Sequence, residues 1–469
     1  MEIVHLSAEC YPIAKAGGLG DVVGALPKYQ NKAGHVAKVV MPMYKTKFLY
    51  ENVFDVDAKG TAYLGSWKFE YTVIKERTNK LGFDLYLVDI NGLLDREKIY
   101  GYDDDSSRFL GFQIAVLDWI NQWNHQPDVV HCHDHHTGLV PFMMQHCYAF
   151  KNKLSSIKTI FTIHNGQYQG WMGWDKSILI PEWDLWKYGM LDWKDNINPL
   201  ASAVKNAWKV TTVSQSYCNE LRFNSNGLEA LFEYEKGKCI GILNGIDNDV
   251  WNPKTDTYLQ HHYTAKTVTK GKELNKKQLC ERFGLNSEVP LFVFIGRLVG
   301  EKAADIFPGF IQAIMHTNYG QASFLFLGSG DPSVENQLQA FNGQFENYYH
   351  AEIGYNEALS HLMYAGADFL LMPSRVEPCG LNQMYALRYG TIPMVRSTGG
   401  LQDTVVDVGD FEGFGIRFNH ATVQDLHYST TRALDIYKDA KQIAWMRKHM
   451  MGINHSWENT VVEYDAVYR

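Results

Sequence analysis

The chain reads as an α/β protein built of two doubly wound domains facing a central cleft. Three observations predict this. Short apolar runs of strand length alternate with amphipathic stretches long enough for helices. The series occurs twice, with a polar, lysine-rich stretch between. Several runs also end in glycine-containing turns, as parallel strands do where they feed helices. At 469 residues the chain is long for one domain and ample for two.

In the first series, residues 3–6 form the opening strand, and the glycine-rich turn 15–21 leads into a helix. Strands follow at 37–40, 83–88, 129–131, 159–163 and 210–213, with helices over 108–121 and 138–150. The second series has strands at 291–296, 323–327, 348–352, 369–372 and 392–395. Between them Lys266, Lys270, Lys272, Lys276 and Lys277 make residues 252–277 read as solvated. The expected domains are therefore residues 1–252, a linker 253–288, and residues 289–454. Residues 455–469 close the chain as an amphipathic helix, with Ser456 a suitable N-cap. Two doubly wound domains place the carboxyl ends of both sheets toward a cleft.

Composition narrows the function. A net charge of -8 excludes a general nucleic-acid binder but allows a few cations in a cleft to hold a small anion. The cysteines at 10, 132, 147, 218, 239, 280 and 379 include no closely spaced pair, which points to a reduced, cytoplasmic protein. No apolar run reaches the roughly 18 residues that a membrane span needs, and the start lacks a secretory pattern.

Candidate chemistry gathers where strands end. In Lys15-Ala16-Gly17-Gly18-Leu19-Gly20-Asp21 the glycines permit close backbone approach, the helix start offers N–H groups to an anion, and Lys15 adds charge. The spacing is neither a dinucleotide fingerprint nor a Walker loop, and a plain glycine-rich turn is the alternative. In His131-Cys132-His133-Asp134-His135-His136, alternate residues point the same way, so His131 and His133 converge. Without a second ligand cluster they read as hydrogen-bonding histidines rather than a zinc site. His164-Asn165-Gly166 follows another strand and admits a structural or a functional histidine. Asn244-Gly245 is a turn or a substrate loop.

In the second series Arg297 and Lys302, a short turn apart, suit one diphosphate or, alternatively, surface ion pairs. Tyr355 is a stacking or a rim aromatic. Glu377-Pro378-Cys379-Gly380-Leu381 sets a carboxylate at the carboxyl end of a buried strand, beside a helix start. Thr398-Gly399-Gly400 offers N–H groups to a phosphate, or merely begins a helix. The acidic pairs Asp103/Asp105 and Asp247/Asp249 read as structural or acceptor-side.

Taken in order, these motifs resemble the bacterial glycogen synthase and starch synthase family over nearly the whole chain. These are retaining, ADP-glucose-type glycosyltransferases of the GT-B fold, with two Rossmann-like domains. The resemblance implies transfer of glucose from ADP-glucose, or UDP-glucose, to the nonreducing 4-hydroxyl of an α-1,4-glucan. It implies no cofactor, no metal, no nucleic-acid or membrane partner, and a terminal helix that returns to the first domain. It carries catalytic roles onto Lys15, His164, Arg297, Lys302 and Glu377. It carries substrate binding onto Gly17, Gly18, Asp21, Asp134, Asn165, Asn244, Tyr355, Cys379, Gly380, Leu381, Thr398, Gly399 and Gly400. Ala16 and His135 depart from the family, which has Thr or Val and Trp there. Tyr385 stands where the wider superfamily has a second glutamate, which the synthases also lack. A retaining transferase with another acceptor, or a non-catalytic glucan-binding protein, is the alternative.

Overall fold

The computed structural model describes residues 1–469. The chain forms two compact units. Unit 1 holds residues 1–243 and 457–469, and unit 2 holds residues 244–456.

Unit 1 contains β1 (Glu2–Leu6), β2 (Val36–Pro42), β3 (Phe54–Leu64), β4 (Trp67–Glu76), β5 (Asp84–Asp89), β6 (Val129–His133), β7 (Lys158–Ile163), β8 (Asp192–Trp193), β9 (Asn196–Ile197), β10 (Lys209–Thr212) and β11 (Cys239–Gly241). Nine of them form one sheet in the order β11-β10-β7-β6-β1-β2-β5-β4-β3, and β8 pairs only with β9. The strands from β11 to β5 run parallel; β4 and β3 are an antiparallel hairpin on one edge. Residues 53–76 lie outside the expected strands. The alternation that marks them is nonetheless in the sequence, since Phe69, Tyr71 and Val73 are buried while Lys68 and Glu70 are exposed.

Unit 2 contains β12 (Leu291–Ile295), β13 (Ser323–Gly328), β14 (Tyr349–Ile353), β15 (Phe369–Met372), β16 (Ile392–Arg396) and β17 (Ile416–Phe418). All are parallel, in the order β14-β13-β12-β15-β16-β17. Both faces of the sheet are buried, one against Phe307, Phe310 and Met446, the other against Leu279, Met363 and Leu401.

In each sheet the strand order reverses beside the first strand: between β6 and β1 in unit 1, and between β12 and β15 in unit 2. Such switch points open a crevice at the carboxyl ends of the strands.

Two segments differ from expectation or extend it. Residues 253–288 are not a solvated linker: helix Val268–Phe283 packs in unit 2 against helix Glu357–Gly366. Lys272 and Lys276 are buried there because each long stem packs on apolar surface while its ammonium finds internal acceptors. Lys276 Nζ lies 2.8 Å from buried Asp368. Lys272 Nζ donates to the carbonyls of Tyr364 and Ala365 and to Thr391 Oγ1, at 2.7–3.1 Å. The terminal helix Trp457–Tyr468 belongs to unit 1, with Trp457, Val461, Tyr464 and Tyr468 in one core with Ile3, Val22, Leu26 and Val129.

Candidate active site

In unit 1 the turn after β1 is organised by a residue that motif reading passes over. Glu9 is 4% exposed. Its Oε2 accepts the Ala16 and Gly17 N–H groups at 2.7 and 2.9 Å, and its Oε1 accepts the Tyr100 hydroxyl at 2.7 Å. A buried carboxylate with three donors pins the loop that carries Lys15. Lys15 itself is half-exposed and pairs with Asp21 at 2.7 Å. Gly17 and Gly18 border open space, since a Cβ on either would meet nothing within 4 Å.

The adjacent strands β6 and β7 deliver Asp134 and His164. Asp134 stands at φ 55°, ψ 176°, a conformation rare outside glycine, and its Oδ1 accepts the His164 N–H at 2.8 Å. Burial raises its carboxyl pKa to about 7. Behind His164 lies a buried cluster. His164 Nε2 is 3.0 Å from His133 Nδ1, and His133 Nε2 is 3.0 Å from His5 Nδ1. His131 bonds the Tyr468 hydroxyl at 2.9 Å and Thr162 at 2.6 Å. His5, His131 and His133 are close enough together to share an ion. Each of their ring nitrogens already has a hydrogen-bond partner, so the trio is a finished polar network. Burial lowers the pKa of His5 to about 4 and of His164 to about 3, and holds His131 and His133 well below the usual imidazole range. Asn165 turns the chain, its Oδ1 accepting the Gln167 N–H at 3.0 Å. At the divergent position, His135 packs under Gly170, where a Cβ would come within 2.5 Å of the ring.

In unit 2, Lys302 follows β12 and Glu377 follows β15, one on each side of the switch point. Lys302 Nζ lies 2.5 Å from Glu377 Oε2, and Ser374 Oγ donates to the same oxygen at 2.9 Å. Glu377 is 7% exposed. Arg396 holds the preceding turn, its guanidinium donating to the Ser374 and Arg375 carbonyls at 2.7 and 2.6 Å. Arg297 is mostly exposed and 3.3 Å from Glu301, so the two cations have different carboxylate partners.

Gly399 and Gly400 follow β16 and press on the Glu377 turn. A Cβ on either would lie 2.0 Å from a carbonyl oxygen, of Glu377 or of Cys379. The Gly400 N–H, expected to face a phosphate, is occupied by the carbonyls of Glu377 and Pro378 at 3.1 Å. Gly380 takes φ 74° and Leu381 caps the helix Asn382–Tyr389. Cys379 is a buried thiol pushed up to about 12 by desolvation, which leaves it neutral. Asn244 faces it, is buried, and has an Oδ1 without a partner. Tyr355, after β14, is highly exposed beside Glu357. Unit 1 thus brings Asp134 to His164, and unit 2 brings Lys302 to Glu377 and Asn244 to Cys379, while Lys15, Arg297 and Tyr355 have other neighbours. No motif in the sequence points to Tyr100, Ser374 or Arg396. Only Glu9 left a signal, a carboxylate just past the first strand and ahead of the glycine-rich turn.

Residues 2–234 match the family profile of the starch synthase catalytic domain, and residues 275–444 that of glycosyl transferases group 1. The glycogen synthase of Flavobacterium johnsoniae is 51% identical over 468 residues, covering 100% of this chain and 98% of that one. This chain belongs to the glycogen synthase family. The glycogen synthase of Streptococcus agalactiae is 35% identical over 100% of this chain and 99% of its own length. Among solved structures, the catalytic domain of starch synthase IV from Arabidopsis thaliana, bound to ADP and acarbose, superposes with a TM-score of 0.86. It is 33% identical and covers 100% of this chain and 98% of that one. The sucrose-phosphate synthase of Thermosynechococcus elongatus, 14% identical with a TM-score of 0.65, shares the fold. The two Rossmann-like units are those of a GT-B glycosyltransferase, and the family reaction is glucosyl transfer from a nucleotide sugar to a glucan. No helix of this synthase-family chain is long and apolar enough to cross a membrane.

Proposed function

We propose that this chain extends an α-1,4-glucan at its nonreducing 4-hydroxyl with glucose from ADP-glucose, retaining configuration, in the cytoplasm. The observation that carries the reading is the Lys302–Glu377 pair at the switch point of unit 2, a cation and a buried carboxylate at one place. The C1–oxygen bond of the donor breaks and its electron pair passes to the departing phosphate. Lys302, Arg297 and Lys15, each paired to a carboxylate before the donor binds, turn to the diphosphate and stabilise the charge that gathers on it. Glu377 and His164 stabilise the positive character at the sugar. The acceptor hydroxyl bonds to C1 on the face the phosphate leaves and gives its proton to that phosphate.

Asp134, Asn165 and Asn244 orient the glucose; the unpartnered Asn244 Oδ1 is an acceptor suited to a sugar hydroxyl. Tyr355 stacks on the base. Gly17, Gly18 and Asp21 border the donor, and Thr398 and Gly399 face the distal phosphate. Cys379, Gly380, Leu381 and Gly400 shape the Glu377 turn on which the sugar rests. The ADP in the related starch synthase structure favours adenine over uracil in the donor.

The test is nucleoside diphosphate release on glycogen, with ADP-glucose and UDP-glucose in parallel. The expected result is acceptor-dependent release from ADP-glucose, indifferent to EDTA. Faster release from UDP-glucose overturns the base assignment. Glu377→Ala should lower kcat far more than donor affinity. Equal losses in both would make Glu377 a binding residue and remove the electrostatic role.

A further inference from the structure

Unit 1 contains one unbroken line of buried hydrogen bonds that runs from His164 to its terminal helix. His164 bonds His133, His133 bonds His5, and His5 Nε2 bonds Gln30 Oε1 at 2.7 Å. Gln30 Nε2 then donates to the Tyr468 hydroxyl at 2.8 Å. Tyr468 bonds His131, and His131 bonds Thr162, which bonds Thr211. Gln30, His5, His131 and His133 have no exposed surface.

Each imidazole is neutral at working pH, because burial disfavours its charged form. A neutral ring bonded at both nitrogens donates from one and accepts at the other. Every bond in the line therefore points the same way. Hydroxyls and imidazoles can serve in either direction, but the Gln30 amide has one fixed acceptor end and one fixed donor end. Its Oε1 faces His5, so His5 carries its proton on Nε2 and accepts at Nδ1. His133 must then donate from Nε2 and accept at Nδ1, and His164 must donate from Nε2. On the other side Tyr468, accepting from Gln30, turns its own proton toward His131.

We propose that Gln30 and Tyr468 are positioning residues that fix the tautomer of His164, with its proton on Nε2 and its Nδ1 left as an acceptor for a sugar hydroxyl. The inference rests on the reading of His164 as a substrate-contacting residue. An amide turned the other way reverses every bond in the line and gives His164 an Nδ1 proton, a donor where the substrate would also donate. Tyr468 is 438 residues from Gln30 in sequence, so the last turn of the terminal helix supplies the acceptor for the amide that sets the polarity of a strand-end histidine.

The experiment is a 15N spectrum of the full chain labelled at histidine, with the His164 signals assigned by their loss in His164→Gln. The native chain should show His164 Nδ1 unprotonated and Nε2 protonated; the opposite pattern overturns the proposal without any further variant. Gln30→Leu should mix the tautomers and lower kcat about tenfold, the worth of one well-placed hydrogen bond, with donor KM within about twofold. Gln30→Glu, buried and protonated, can carry its proton on either carboxyl oxygen and so fixes no direction; it should leave the tautomers mixed, as Gln30→Leu does. Tyr468→Phe, which takes the acceptor from the Gln30 amide, is the second variant should Gln30→Leu fail to fold, and should also mix the tautomers. If His164→Gln lowers kcat but Gln30→Leu and Tyr468→Phe leave the His164 signals unmoved, the positioning role falls. If His164→Gln leaves kcat unchanged, the substrate role of His164 falls, and the spectra alone then report the tautomer.

Discussion

At the scale of single residues, the glycines of the two halves do different work. Gly17 has an extended backbone, at φ −146°, and space where a Cβ would go. Gly400 has a carbonyl oxygen 2.0 Å from that position. Gly17→Ala should therefore leave stability within about 0.5 kcal/mol, as an unstrained surface change does. If the donor approaches that backbone, the same substitution should raise KM for ADP-glucose. Gly400→Ala should destabilise by about 1–3 kcal/mol, because the Glu377 turn must move. Urea unfolding and steady-state kinetics on the two variants separate a ligand-facing glycine from a packing one; equal stability losses would erase the distinction. The motif glycines were legible in the sequence since they lie together in the chain. The supports were not. Glu9 reaches a loop seven residues on, but Gln30 finds its partner only when the chain has folded, and no spacing encodes that.

At the scale of elements, the lysine-rich stretch shows how a charge count misleads. Lys272 has no carboxylate in contact; it donates to the Tyr364 and Ala365 carbonyls at the carboxyl end of helix Glu357–Gly366, to the Tyr389 carbonyl at the end of helix Asn382–Tyr389, and to Thr391 beyond it. These are groups that a helix end leaves without partners and where its dipole is negative. Burial holds the Lys272 ammonium well below its usual pKa, yet its acceptors are those a cation suits. The Tyr364 carbonyl also accepts from Thr391, and the Tyr389 carbonyl from Tyr263, so removing the ammonium does not orphan every group. Lys272→Met, which preserves the stem, should cost about 2 kcal/mol in urea unfolding. A neutral or stabilising result would mean that the desolvated cation cancels its own bonds. The parallel strands were readable because burial on both faces makes them apolar throughout. The β3–β4 hairpin has no such run, because one face meets solvent and polar residues alternate with apolar ones.

For the whole molecule, the buried imidazoles dictate the response to acid. Burial depresses the pKa of His5, His131, His133, His135, His136 and His164 in unit 1. In the unfolded chain each returns to about 6.5 and takes up a proton that the native state refuses. Their contribution is complete above pH 6.5 and is lost as pH falls toward the folded values. Each group then costs about 1.4 kcal/mol per pH unit. Asp134, with a raised pKa, works in the opposite sense, binding a proton in the native state first. The sum predicts that unit 1 loses roughly 6 kcal/mol between pH 7 and pH 5.5. His361 in unit 2 has a raised pKa beside Asp256, so its contribution is full below pH 6.5 and fades as pH rises through the folded value; it offsets the one histidine of that unit with a lowered pKa, His455 at about 4. Urea titrations at pH 7 and pH 5.5 should therefore resolve an acid-labile transition and an acid-tolerant one. A single midpoint unchanged by pH would contradict the buried, neutral state of the histidines.

The division of the chain has a consequence for its biosynthesis. Unit 1 is begun by the first 243 residues but completed by residues 457–469. On a ribosome adding ~5–20 residues per second, the intervening stretch takes tens of seconds to emerge. Throughout that interval Ile3 and Val129 of the nascent sheet, and Val22 and Leu26 of the helix Gly18–Lys32 that follows its first strand, lack the terminal helix that will cover them. The newborn chain must pass through a sticky half-built stage, and its yield in a cell depends on how long that face is kept from its neighbours.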